Sequence, residues 1–180
     1  MANYKLLGLS GSLRKDATNR KLLREAARLF GECTYQEANL HLPLYDGDDE
    51  EATGIPDAVT RLADQIAAAD AVVISTPEYN KGPSGALKNA LDWVSRTNGN
   101  PWKGKPVAVM SAAAGRAGGE RAQLVLRSFM VAFQPRILQG PEVHLANSSN
   151  EFDDGGKLTS EIYTKTVSDL MEALRAEISR

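Results

Sequence analysis

Short apolar runs alternate along this chain with longer segments of helical period, and that alternation restricts the fold more than any other feature. Five runs have strand character: Lys5 to Leu9, Tyr35 to Leu40, Ala71 to Ser75, Pro106 to Ser111 and, with a weaker pattern, Glu142 to Leu145. Between and after them lie helical segments at Asn19 to Phe30, Pro56 to Ala69, Gly85 to Arg96, Gly119 to Phe133 and Ser160 to Ile178. Strands and helices in strict turn build βαβ units around a parallel sheet. Right-handed crossovers then leave few strand orders, so the pattern predicts a three-layer α/β fold with a five-stranded parallel sheet in order 2-1-3-4-5 and helices on both faces. Ala-Val-Val-Ile-Ser and Val-Ala-Val-Met-Ser lack polar alternation, as central strands covered on both faces should. Tyr-Gln-Glu-Ala-Asn-Leu is more polar and belongs at an edge.

At 180 residues the chain is expected to form one domain over 1–180, large enough to hold itself together without disulfides or a structural metal. Its 21 basic and 23 acidic residues nearly cancel, which argues against a nucleic-acid partner. Cys33 stands alone, so no intrachain disulfide is available. Met-Ala-Asn-Tyr-Lys runs directly into the first strand without a basic region or a long apolar core. No membrane insertion is expected, and the cytoplasm is the expected address. Leu124, Val125, Leu126, Phe129, Met130, Val131 and Phe133 make the fourth helical segment apolar on more than one face, which predicts a subunit interface and a dimer or tetramer. Asp46 to Glu51 reads as a solvated acidic loop and Asn147 to Gly156 as a polar connection.

Ligands of open parallel sheets bind beyond the carboxyl ends of the strands. After the first strand comes Ser10-Gly11-Ser12-Leu-Arg14-Lys15-Asp-Ala-Thr18-Asn19, which combines a tight turn, hydroxyls, bases and a helix start with free N–H groups. That set suits a phosphate monoester. Neither Gly-x-x-x-x-Gly-Lys-Ser/Thr nor Gly-x-Gly-x-x-Gly is present there, so a mononucleotide fits better than a nucleoside triphosphate or a dinucleotide. After the third strand, Thr76-Pro77-Glu78-Tyr79-Asn80-Lys81-Gly82-Pro83-Ser84-Gly85 makes a stiff loop able to hydrogen-bond the edge of a flat heterocycle. After the fourth, Ser111-Ala-Ala-Ala-Gly115-Arg116-Ala-Gly118-Gly119 is small enough for a planar ring to approach closely.

At these three loops the chain resembles the NAD(P)H-dependent FMN reductase family, flavodoxin-like flavoproteins that include quinone, chromate, ferric and azo-dye reductases. The residues that carry the resemblance are Gly11-Ser12-Leu-Arg14 with Thr18-Asn19, then Thr76 to Asn80 with Leu87-Lys88-Asn89-Ala-Leu-Asp92-Trp93, then Ser111-Ala-Ala with Gly118-Gly119. It spans about residues 4–145, and the second block is the specific one. The resemblance implies FMN as cofactor and NADH or NADPH as cosubstrate. It assigns Ser10, Ser12, Arg14, Thr18 and Asn19 to the phosphate cradle, Pro77, Glu78, Tyr79 and Asn80 to the isoalloxazine loop, and Ser111 and Gly115 to the other side of the flavin. Pro83-Ser84-Gly85 sets the proline one residue further back than many relatives do.

His41 and His144 are the only histidines, too few with one cysteine for a zinc site, so no metal is expected. Cys33 has no cysteine or histidine neighbour in sequence and reads as an incidental thiol. Trp93 reads as helix packing, whereas Trp102, between Pro101 and Lys103, is a candidate either for local packing or for covering a neighbouring subunit's site. Asp46, Asp48 and Asp49 follow the second strand, while a phosphorelay receiver needs its acids after the first. Two functional classes remain: a reductase passing electrons from NAD(P)H through flavin to a small-molecule acceptor, and a flavodoxin-type electron carrier that docks to a protein. Arg14, Lys15, Lys81 and Arg116 in the loops favour the reductase, because bases suit a nicotinamide nucleotide better than an acidic docking rim. No catalytic side chain is required. Asn80 and Lys81 are candidates for stabilising charge on reduced flavin.

Overall fold

A computed structural model describes residues 3–180; Met1 and Ala2 lie outside it. The chain runs β1 (Tyr4–Ser10), α1 (Thr18–Phe30), β2 (Cys33–Glu37), α2 (Gly47–Thr53), α3 (Asp57–Ala68), β3 (Ala71–Thr76), α4 (Gly85–Val94), β4 (Pro106–Ala112), α5 (Glu120–Met130), β5 (Arg136–Ile137), β6 (Val143–Leu145) and α6 (Glu161–Ile178). All pairings are parallel and the order is β2-β1-β3-β4-β5, with β6 also on β4. The expected strand order is therefore present, with one refinement. The fifth position is split, since Ile137 pairs with Val107 and Val143 with Met110, leaving more chain between the two pairings on the outer strands than on β4. Arg136 and Ile137 are too short a run to show a strand pattern in sequence.

Side-chain alternation on the central strands fills two cores. Leu7, Leu9, Val72, Ile74, Val107 and Val109 point to one face, against Leu62 and Ile66 of α3, Leu87 and Leu91 of α4, and Leu126 and Met130 of α5. Leu6, Val73, Ala108 and Met110 point to the other, against Leu22 and Leu23 of α1 and Val167, Leu170 and Leu174 of α6. Every residue of β3 and β4 is buried, which explains their uninterrupted apolar runs.

Three expectations need correcting. The second strand ends at Glu37, not Leu40: Ala38 still donates to Gly8, but Leu40 turns into the α3/α4 core as part of a covering loop. The acidic run is not a loop but the helix α2, although none of its residues is buried. Asp46 caps it by accepting from the Asp48 N–H at 2.9 Å, and Asp48, Asp49 and Glu50 sit where the positive helix end favours carboxylates. Trp102 is fully buried and meets Phe133 edge to face at 6.4 Å, so it packs its own chain and cannot wall a neighbour's site. Leu124 and Val131, 71% and 74% exposed, are the residues that leave α5 and the 3-10 turn after it apolar outward. No described helix is long and apolar enough to cross a membrane.

Candidate functional site

The carboxyl ends of β1, β3 and β4 open onto a cleft of about 490 Å³, lined by Ser12, Arg14, Asp16, Ala17, Thr18, Asn19, Lys21, Pro77, Glu78, Tyr79, Ala112, Ala113, Ala114, Ser148 and Ser149. At one end α1 begins without a side-chain cap, because Ala17 occupies the N-cap and has no side-chain oxygen to offer. Arg20 and Lys21 donate to the Ala17 carbonyl, while no acceptor among the described residues is bonded to the N–H of Thr18 or Asn19. An uncapped helix start facing a cleft has free N–H groups at the positive end of its dipole, which suit an anion. Arg14 is exposed beside it and makes no ion pair among the described residues. The Thr18 hydroxyl shares a 3.1 Å hydrogen bond with Ser148.

Two other residues proposed for the phosphate cradle face inward. The Ser10 hydroxyl donates to the Ser12 carbonyl at 3.0 Å and accepts the Ser12 N–H at 3.2 Å, which shapes the loop, and Ser10 does not line the cleft. Asn19 lines it but spends its side chain on the sheet. Its Nδ2 donates to the Ala112 carbonyl at 2.9 Å, and its Oδ1 accepts from the Ser75 hydroxyl at 2.8 Å and the Ala112 N–H at 3.0 Å. The first turn of α1 is thereby pinned to the ends of β3 and β4, while the Asn19 backbone N–H is left without an acceptor among the described residues.

The other end is built from the loops after β3 and β4. Tyr79 and Gly82 exchange backbone hydrogen bonds of 2.9 and 3.1 Å around Asn80 and Lys81, whose φ values of 50° and 68° make a two-residue type I′ turn. Asn80 tolerates this left-handed backbone, but Lys81 is strained, since most non-glycine side chains disfavour positive φ. Strain of this kind gathers at functional sites. Tyr79 is 54% exposed at the mouth of the cleft, where its ring can lie against a flat ligand. Glu78 lines the cleft as well, yet its carboxylate accepts the Ala122 N–H at 3.2 Å and so caps α5, which starts after Gly119 with no cap of its own. Ser111 is fully buried, donating to the Gly118 carbonyl at 2.6 Å and accepting from Gln123 at 2.9 Å. Gly118 and Gly119 have φ of 60° and 91°, and a Cβ on Gly118 would collide with the His144 backbone. Ala112, Ala113 and Ala114 line the cleft, whereas Ser111, Gly115 and Asn80 do not.

The specific α4 block is structural in the same sense. Asn89 Nδ2 and Trp93 Nε1 each donate to the Pro43 carbonyl at 2.8 Å, holding the segment that crosses from β2 to α2. Sequence reading missed Ser148 and Ser149, because nothing local marks the turn after β6 as a neighbour of Thr18. It also passed over Lys21, which helical spacing from Thr18 does signal. Cys33 lies on β2, away from the cleft, and burial raises its thiol pKa more than nearby Arg175 lowers it.

The model of the NADPH-dependent FMN reductase family matches residues 4–150. An NAD(P)H-dependent FMN reductase of Pseudomonas aeruginosa is 40% identical over 180 residues, covering 99% of this chain and 97% of that protein. A quinone reductase of Escherichia coli is 40% identical over 137 residues, 74% of this chain and 73% of its own. Among solved structures, the flavoenzyme NAD(P)H:(acceptor) oxidoreductase FerB of Paracoccus denitrificans superposes with a TM-score of 0.87 at 32% identity, covering 98% of this chain and 97% of that one.

Proposed function

Because the chain belongs to the NADPH-dependent FMN reductase family, we propose that its single domain holds FMN in the cleft above β1, β3 and β4 and reduces quinones at the expense of NADH or NADPH. The observation that carries this reading is the uncapped start of α1 beside the unpaired Arg14, in the same cleft as the exposed ring of Tyr79. A phosphate monoester supplies the acceptors that the Thr18 and Asn19 N–H groups lack, and a flat ring system suits the small-residue wall of Ala112 to Ala114. In this reading Arg14, Thr18, Ser12 and Ser148 hold the phosphate, while Ser10 and Asn19 hold the loop that presents them. Pro77 and Tyr79 border the ring, with Asn80 and Lys81 in the turn beside it. Glu78, Ser111 and Gly115 act from behind, through the backbone they fix.

When bound, FMN supplies the centre that takes hydride from NAD(P)H and returns the electrons to the acceptor. The chain's part is to bind, to orient and to admit. Backbone N–H groups of the turn and the Lys81 ammonium, which follow Tyr79 in the same loop, are the groups available to offset negative charge at the ring edge. Tyr79 and the β4 loop border one mouth, so the nicotinamide and the quinone enter in turn. Chromate, ferric complexes and azo dyes are competing acceptors at the same opening. The outward apolar residues Leu124 and Val131 are the surface through which a dimer or tetramer would form.

The test begins with the absorption spectrum of the purified protein, which should carry a flavin band or acquire one on adding FMN. NADH or NADPH without acceptor should bleach it under anaerobic conditions. Steady-state rates with a benzoquinone should then give parallel double-reciprocal lines. A protein that takes up no FMN overturns the reading, and intersecting lines overturn the alternating scheme alone.

A further inference from the structure

The two ends of the cleft come from loops far apart in sequence, yet they meet at Gly11. Its N–H donates to the Ser75 carbonyl at 2.8 Å, and its carbonyl accepts a hydrogen bond from the Ser84 hydroxyl. The N–H of Gly11 therefore ends on β3 itself, and its carbonyl on the segment that joins β3 to α4. The contact is also close in space, since a Cβ on Gly11 would lie 2.9 Å from Pro77 Cδ and 3.2 Å from Ser84 Oγ. Ser84 is 2% exposed, and its oxygen has a second partner: it accepts the Leu87 N–H at 3.2 Å as the N-cap of α4. One hydroxyl thus ties the loop that starts the phosphate end to the first turn of the helix behind the ring end. Gly11 and Ser84 are both buried, so water does not replace the bond when it is removed.

We propose that Ser84 is a positioning residue that makes the β1 loop and the β3 loop one preformed unit, so that a ligand spanning both ends, FMN, gains affinity that a ligand of one end does not. The inference rests on the reading that the cleft holds FMN. The physical ground is that a two-ended ligand gains from the second end only if the first holds it at the right spacing. When the spacing is fixed beforehand, binding does not have to order it. A helix cap alone would not have this effect, because capping α4 leaves Gly11 untouched.

Three substitutions separate the roles. Ser84→Ala removes cap and clamp together. Ser84→Asp keeps an acceptor for the Leu87 N–H but has no proton for the Gly11 carbonyl. Ser84→Thr keeps both. Apoprotein of each is titrated with FMN, which reaches both ends, and with riboflavin, which lacks the phosphate. In Ser84→Ala and Ser84→Asp the affinity for FMN should fall roughly tenfold or more, while riboflavin changes by less than about threefold, and Ser84→Thr should restore the ratio. Should Ser84→Ala fail to fold, the Asp variant, which retains the cap, decides. An unchanged FMN-to-riboflavin ratio in the folded variants overturns the proposal. A wild-type protein that binds neither flavin overturns instead the reading on which it rests.

Discussion

The two ends of the cleft use similar residue types in opposite ways. At the α1 end the donors that face the cleft have no partner among the described residues: the N–H groups of Thr18 and Asn19, and the exposed Arg14 guanidinium. At the β3 and β4 end the polar side chains are already spoken for, with Glu78 on the α5 start, Ser111 between Gly118 and Gln123, and Ser84 on Gly11. A polar side chain beside a cleft is a ligand only when its own hydrogen bonds are unmet. When they are met it is a strut, and what it offers a ligand is the backbone it holds in place. Asn19 is the exception at the α1 end, a strut among unpaired donors, and it provides the sharpest test.

Asn19→Ala should have the largest effect. It removes three buried hydrogen bonds and orphans the N–H and carbonyl of Ala112, a loss on the order of 3–5 kcal/mol. Urea unfolding of the apoprotein should show it directly. A variant as stable as the parent but defective in FMN binding would move Asn19 from strut to ligand. Arg14→Ala should do the reverse. A charge-assisted contact with phosphate is worth about 1.5–3 kcal/mol, so on the proposed reading FMN affinity should fall roughly 10- to 150-fold by titration, with the unfolding midpoint of the apoprotein unchanged. If affinity holds, the unpaired guanidinium is only a surface charge.

Glu78→Ala tests the ring end. Loss of the α5 cap should cost about 1 kcal/mol in the same unfolding experiment, whereas Glu78→Gln, which keeps an oxygen for the Ala122 N–H, should lose less than half of that. Equal losses in both variants would mean that the carboxylate charge, not the cap, is what matters there. The smallest effect belongs to the turn. Lys81→Gly relieves a positive φ of 68° and should raise stability by about 1 kcal/mol, less the entropy glycine adds to the unfolded chain. If quinone reductase activity falls in that variant while stability rises, the Lys81 charge or the strain it carries serves the reaction.

What the sequence determined by itself is what depends on neighbours along the chain. The uninterrupted apolar runs of β3 and β4, helical stripes, and loops rich in glycine, proline and hydroxyls at strand ends are local patterns, and they sufficed for the sheet order and the place of the cleft. Tertiary structure decided the rest wherever the deciding partner is remote. Leu40 reads as strand until the α3/α4 core is there to receive it, and Trp102 reads as a loop residue until Phe133 covers it. The two residues of β5 acquire strand geometry only from β4. The same holds within the site. Asn19 meets Ala112 across 93 positions, Ser84 meets Gly11 across 73 and Glu78 meets Ala122 across 44. Hydrogen-bonding capacity belongs to the residue and is legible in the sequence; whether it has been used belongs to the fold, because the partner that uses it is brought near only when the sheet closes.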